Sequence, residues 1–218
     1  MNMRCFLYSA LVVLLTLTGI QAQTATSQPT PTPSSLLERA ERALYRSEAT
    51  MLDFTTQLKD KAGRIQSGIS GKMYLQGDAF RLEYGTITAV YTAGTLTYYD
   101  SAEQTLTIST PSAEELLQIN PLYFLRSRAK GYQSSLRRST PQHATVLFTP
   151  MNTKGSITNI IAVFQQSNGL PSQLVFLAKD KSQLTAKVGR VTHRATYPAS
   201  FFQLDAKDYP GCEIVDLR

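Results

Sequence analysis

The chain has 218 residues, 42% of them hydrophobic, with 22 Lys and Arg against 16 Asp and Glu for a formal net charge of +6. Two cysteines, two histidines and no tryptophan leave little room for a disulfide framework, a thiolate metal cluster or a histidine-built catalytic centre. No Walker loop, GxGxxG, GxSxG or HExxH pattern occurs, so a binding or carrier protein is expected rather than an enzyme, with no cofactor, metal or catalytic residue.

The N-terminal residues 1–22 carry a single charge, Arg4, followed by an apolar run from Phe6 to Leu17 and a small-residue end, Gly19-Ile20-Gln21-Ala22. That is the pattern of a secretory signal peptide cleaved after Ala22. The apolar run is about a dozen residues, short of the ~20 a membrane-spanning helix needs. Cys5 precedes the run, so it is not placed for lipid attachment at the cleavage point. Residues 23–33, QTATSQPTPTP, form a Thr/Pro-rich arm that buries too little apolar surface to order itself. Residues 34–218 then make one domain.

A capping-box spacing, Ser35-x-x-Glu38, with Leu37, Ala40 and Leu44 on one face, predicts an amphipathic helix over 35–49. From Met51 the period changes to two. Alternating segments over 51–58 and 65–75 read as a long hairpin, and further strands are expected at 80–84, 87–91, 96–99 and 105–108, separated by two to five turn residues. Pro111 ends this meander, Ser112 starts a short helix to 119, and 121–128 reads as a second one. Strand texture returns at 132–138, 144–149, 157–165, 170–177 and 184–193. A short helix near 198–204 precedes a final stretch at 212–217. About ten strands and two to four short helices result.

Cys212, the one cysteine after residue 22, reads as a buried inert thiol. His143 and His193 are far apart, with no ligand-spaced partner. Arg126, Arg128, Lys130, Arg137 and Arg138 interleave with Tyr123, Phe124 and Tyr132, a texture that can read single-stranded nucleic acid. Export argues against that partner, and an acidic surface or anionic lipid suits the charge better.

A sheet of about ten strands has two faces and too little helix to cover one of them, so it must curl. A curled sheet lines a cavity over which the helices can lie, and an apolar cavity of this kind suits an apolar ligand. A packed sandwich without a cavity is the alternative that periodicity leaves open. Candidate cavity residues are Phe54, Leu58, Ile69, Met73 and Leu96 on the strands and Leu37, Leu44, Leu116 and Leu117 on the helices. Each could equally be ordinary core, and parity does not say which face is concave.

The block from Gly71 to Tyr84, GKMYLQGDAFRLEY, followed by Ala93-Gly94-Thr95-Leu96-Thr97-Tyr98-Tyr99-Asp100 and Glu103-Gln104, resembles the periplasmic outer-membrane lipoprotein carrier family, LolA-like. Gly169-Leu170-Pro171, a strand ending at Asp180, Phe201-Phe202 and Val215-Asp216-Leu217 agree with it in layout. The resemblance implies a mainly β fold with short helices: an incomplete (half) antiparallel β-barrel with a helical lid over an apolar cavity. It implies a monomeric periplasmic chaperone that takes acylated lipoproteins from an inner-membrane ABC-type extractor and passes them to an outer-membrane acceptor, with no nucleic acid involved. Arg81 matches the Arg of the family's Phe-Arg pair and is carried over as a cavity-rim or lid-contacting residue. Where many members place a lid-bonding arginine and a proline, this chain has Gln76 and Gly77; the family's Asp-Gly is Ala93-Gly94 and its Trp is Tyr98. Two other classes remain: a carrier of another lipid or hydrophobic pigment, and a periplasmic lipoprotein sensor, which would need a second domain.

Overall fold

A computed structural model describes residues 30–45, 49–127 and 129–218. The expected signal peptide, most of the Thr/Pro arm and Arg128 of the basic stretch lie outside the described residues. Helix α1 spans Pro33–Leu44, followed by strands β1 (Ala49–Lys59), β2 (Ile69–Gln76), β3 (Ala79–Tyr84), β4 (Ile87–Thr92), β5 (Thr95–Asp100) and β6 (Thr105–Ser109). Helices α2 (Ala113–Ile119) and α3 (Tyr123–Arg126) come next. The second half holds β7 (Tyr132–Ser139), β8 (His143–Pro150), β9 (Ile157–Gln165), β10 (Pro171–Ala178), β11 (Gln183–Arg194) and β12 (Glu213–Asp216).

Helix α1 begins two residues before its expected start. Thr32, in extended backbone, caps the Ser35 N–H, and the Ser35 hydroxyl returns the contact to Thr32, so the reciprocal box is Thr32/Ser35 and not Ser35/Glu38. Pro33 sits at the first helical position, where its preset φ and missing N–H are harmless. The arm therefore gives up its last residue to the helix. At the other end α1 closes at Tyr45, short of the expected residue 49, which is already the first residue of β1. Helix α2 has the expected Ser112 cap with Glu115 closing the box.

All twelve strands belong to one sheet, in the order β12-β6-β5-β4-β3-β2-β1-β11-β10-β9-β8-β7. Every neighbouring pair is antiparallel except β12, which runs parallel to β6. Eleven of the strands fall at the expected segments, and the twelfth is the C-terminal stretch, which pairs as a strand of its own. Edge strands β12 and β7 do not pair with each other, so the sheet stays open.

The sheet nonetheless curls. Ala89 on β4 and Phe148 on β8 belong to one core cluster with Leu36, Leu44 and Phe124 of α1 and α3. Seven strand spacings separate β4 from β8, roughly 34 Å if the sheet were flat at about 4.8 Å per strand, far more than the ~10 Å diameter of a helix. Only a sheet wrapped around the helices brings these residues together. The inner face is Leu52, Phe54, Met73, Leu75, Phe80, Leu82, Leu96, Val146, Phe164 and Leu174, all buried.

The outer face has a partial layer of its own. The segment 195–212, with single-turn 3₁₀ helices at Ala199–Phe202 and Ala206–Asp208, lies across the outward side of β2 to β5. Tyr197 and Phe201 pack edge-on against Tyr74, Tyr209 stacks on Tyr99 at 4.0 Å, and Phe202 is buried. Cys212, expected to be buried, is only half-buried, because it ends this surface layer and lies outside the core.

At the centre of the sheet Phe54 faces Gly71 across the β1–β2 pair. A Cβ at position 71 would lie 2.5 Å from the Phe54 ring and 2.7 Å from the Glu83 carbonyl oxygen, so the ring occupies the space that glycine leaves. Gly71→Ala is expected to destabilise the fold by about 1–3 kcal/mol through overpacking, read as a lowered urea midpoint with an unchanged slope.

Candidate functional site

The inner face and the helices against it form the candidate site. Six of the sequence-derived residues meet there: Leu37, Leu44, Phe54, Met73, Leu96 and Leu116 are all buried in the one core cluster. They are packed against each other, so in this closed arrangement most of the expected cavity is filled by helix side chains. Alternation finds the strand members but misses Leu36, Phe124 and Leu125. Leu36 stands next to a residue already assigned to the apolar face, and α3 is one turn long, too short to show a period. Phe176 escapes because Leu174-Val175-Phe176-Leu177 is a continuous apolar run that hides parity.

Leu58, Ile69 and Leu117 lie outside this plug, at the end of the sheet carrying the β1–β2, β8–β9 and β10–β11 turns. There the packing is incomplete. A cleft of about 150 Å³ opens between α2 and the sheet, lined by Leu58, Leu117, Ile157, Phe176 and Leu184. It is smaller than the ~300–1,000 Å³ of ordinary ligand pockets. An acyl chain entering by this cleft therefore needs a helix to move.

Arg81 is elsewhere. On β3 the inward residues are Phe80 and Leu82, and Arg81 has the opposite parity. Its guanidinium donates to the Phe201 carbonyl, pairs with Glu83 at 3.1 Å and stands over the Phe201 ring. It anchors the outer layer and neither rims the cavity nor touches the lid. Gln76 does the same: its amide donates to the Tyr197 carbonyl and accepts from the Tyr197 N–H at 2.7 Å, facing away from the helices. Parity explains both, since the motif fixes spacing along the strand and not the face.

Two other arginines hold the helices. Arg126 at the end of α3 pairs with Asp78 in the β2–β3 turn and with Glu41 of α1 at 3.6 Å, and its guanidinium stands over the Tyr45 ring. Arg39 of α1 donates to the Gln166 carbonyl in the β9–β10 turn. Tyr45 donates to the Leu122 carbonyl at 3.3 Å, tying the end of α1 to α3. A pocket of about 400 Å³ beside this junction is lined by Tyr45, Phe80, Tyr91, Asn120 and Tyr123. All these contacts sit at the end of the barrel opposite the cleft.

A larger depression of about 780 Å³ involves β1 to β4 and β11. Asp53, Thr55, Lys72, Glu83, Thr88 and Lys187 in its lining are cross-strand neighbours of the parity opposite to Phe54. Its polar lining thus belongs to the outer face. Among the described residues no group of three or more His, Cys, Asp or Glu is placed to hold a metal ion.

No protein-family model matches the sequence, and no curated protein matches it. Solved structures do share its fold. A conserved protein of Thermus thermophilus, described as uncharacterized, superposes with a TM-score of 0.56 at 15% identity, covering 83% of this chain and 96% of its own. A DUF1329 family protein from Desulfovibrio piger gives 0.50 at 10% identity, with 78% and 95% covered. A LolA superfamily protein from Nitrosomonas europaea gives 0.47 at 10% identity, with 81% and 99% covered. The architecture itself, an open curled sheet around short helices, is the one the LolA-like resemblance implied.

The helix junction can be tested at two residues. Arg126→Met should leave global stability within about 1 kcal/mol, because the ion pairs are partly solvated, yet raise amide exchange of α1 relative to β8 and β9. Burial raises the Tyr45 phenol well above its ordinary value near 10, with the Arg126 guanidinium pulling the other way. A folded-state pKa above the unfolded one means full stability below pH about 10 and loss as pH rises beyond it. Tyr45→Phe should move the alkaline transition upward, measured by circular dichroism alongside tyrosinate absorbance. Tyr74 and Tyr132, also raised by burial, keep that transition from vanishing.

Proposed function

We propose that this chain is an exported periplasmic carrier that shelters the acyl chains of lipoproteins between the inner face of its sheet and helices α1 to α3. The observation that carries the reading is how the inner face is closed. Ten of the twelve strands, β1 to β5 and β7 to β11, present one apolar surface, and what covers it among the described residues is three short helices held mainly at one end by charged and polar contacts. Such a cover can leave without unfolding the sheet. The apolar lining it exposes matches an acyl chain, which gains ~0.8 kcal/mol for each methylene withdrawn from water.

The signal-peptide pattern of residues 1–22 supports export, and the resemblance of the Gly71–Tyr84 block supports the lipoprotein cargo. On this reading the partners are an inner-membrane ABC-type extractor that loads the carrier and an outer-membrane acceptor that empties it. No bond is made or broken; the protein supplies an apolar environment and a gate.

Mass spectrometry of ligand recovered with the purified protein tests the cargo. Acylated peptide is the expected species; free fatty acid, glycolipid or pigment would instead assign the fold to another lipid. Gate motion is tested in a Cys212→Ser background with Arg39→Cys and Gln166→Cys joined by a cleavable bifunctional crosslinker. Uptake of a fluorescent fatty-acid probe should be lost on crosslinking and return on cleavage; uptake that ignores the crosslink would exclude helix opening.

A further inference from the structure

Antiparallel pairing brings the β1–β2, β8–β9 and β10–β11 turns to the same end of the sheet, on six successive strands from β2 to β8. Six large apolar side chains stand exposed among the described residues, and four of them are here: Ile65 (63% exposed), Met151 (64%), Ile69 (43%) and Leu58 (36%). The β1–β2 excursion that carries Ile65 is a built element. Asp60 accepts from the Ala62 and Arg64 N–H groups and from the Arg64 side chain, Gln66 donates to the Leu58 carbonyl, and Ile65 bridges back to Lys59. Ile65 is therefore held out into solvent by an ordered turn.

Cations surround these side chains. Lys59, Lys61 and Arg64 come from the β1–β2 turn, Lys154 from the β8–β9 turn, and Lys179 and Lys181 from the β10–β11 turn. The acids at this rim are Asp60, Asp180 and, in the first turn of α2, Glu114 and Glu115, the latter engaged in the Ser112 cap. Asp60 is engaged by Arg64, Asp180 by Ser182, and Glu114 lies beside Ser156. Asp100 and Glu103, in and next to the β5–β6 turn, stand at the same end but several strands further round. The patch is thus apolar at its tips and net positive around them, and Leu58 also lines the 150 Å³ cleft.

Exposed aliphatic tips within a ring of lysines match a bilayer carrying anionic lipid. The tips enter the headgroup boundary while the ammonium groups meet phosphates. An acidic protein surface would satisfy the charge but would gain little from Ile65 and Met151 standing proud of the turns. We infer that this rim is a docking surface for anionic membranes, placing the cleft against the bilayer so that an acyl chain can pass between them without crossing water. The docking goes beyond the carrier reading, and vesicle binding is measured independently of what ligand the protein contains.

The test is flotation of the chain from Gln23 onward with vesicles of phosphatidylcholine alone or with phosphatidylglycerol added. The protein should float with the anionic vesicles, weakly with the neutral ones, and should be released by salt. Lys61→Gln and Lys181→Gln should each weaken binding about fivefold. Ile65→Asp or Met151→Asp should weaken it roughly tenfold or more. Both positions are solvent-exposed, so an unchanged circular dichroism spectrum is expected. Leu217→Asp, equally exposed but at the opposite end of β6, should bind as the parent does. Equal flotation with both vesicles, flotation with neither, or an Ile65→Asp protein that binds as before would overturn the inference.

Discussion

Everything in this fold answers to one constraint: ten of the twelve strands share an apolar inner face, and the three α-helices that cover it among the described residues have 12, 7 and 4 residues. A flat sheet could not satisfy it, because helices of that length shield only a few strands. Curling brings both halves of the sheet into one core cluster with the helix side chains Leu36, Leu44, Phe124 and Leu125. The curvature leaves the outer face to be managed separately. The segment 195–212 covers its N-terminal half with Tyr197, Phe201, Phe202 and Tyr209, and β12 caps that edge by pairing with β6.

The two ends of the barrel differ in how they are held. At one end Arg126, Arg39 and Tyr45 tie helices to turns through hydrogen bonds and ion pairs. At the other, the tie of α2 is a single long contact from the Ser156 hydroxyl to Glu114 at 3.4 Å, and the packing around Leu117 opens into the cleft. Polar ties between exposed groups are worth little in water, typically below about 1 kcal/mol each. They fix where the helices sit far more than how strongly they are held. The strength comes from the leucines, which do not distinguish helix side chains from any other apolar surface of the right shape.

Period-two alternation made the strands legible from 51 onward, and with them the shared parity of Phe54 and of Met73 and Leu96 on their strands, but not which face is inward. Turn glycines and prolines placed the hairpins, and Ser112 with Glu115 marked α2. Helix α1 was legible in kind but not in extent. Thr32-Pro33 reads as part of a Thr/Pro arm until one sees that Ser35 completes its cap. Arg81 was legible as a motif position and misread in direction, since a motif on a strand says nothing about which side the sheet will bury, and Gln76, which replaces the family's lid-bonding arginine, faces the same outer layer. The pairing of Arg126 with Asp78 joins residues 48 apart in sequence, and no local pattern could announce it. Likewise the rim gathers Ile65, Met151, Lys154 and Lys181 only through strand order.

The strength of closure can be set against the proposed cargo. Swinging α1 off the sheet returns Leu36, Leu37 and Leu44 to water, at ~2 kcal/mol for each fully buried leucine, or roughly 6 kcal/mol before any loss in the helix itself. A 12-residue helix is marginal alone in water, so release from the sheet would also cost it order. Spontaneous opening is therefore rare. An acyl chain entering the same space recovers ~0.8 kcal/mol per methylene, so about eight methylenes offset the three leucines. A chain much shorter would leave the helix in place, and a full-length acyl chain would displace it with energy to spare. Selectivity for long chains then needs no recognition chemistry in the cavity, only a plug whose apolar area sets the threshold.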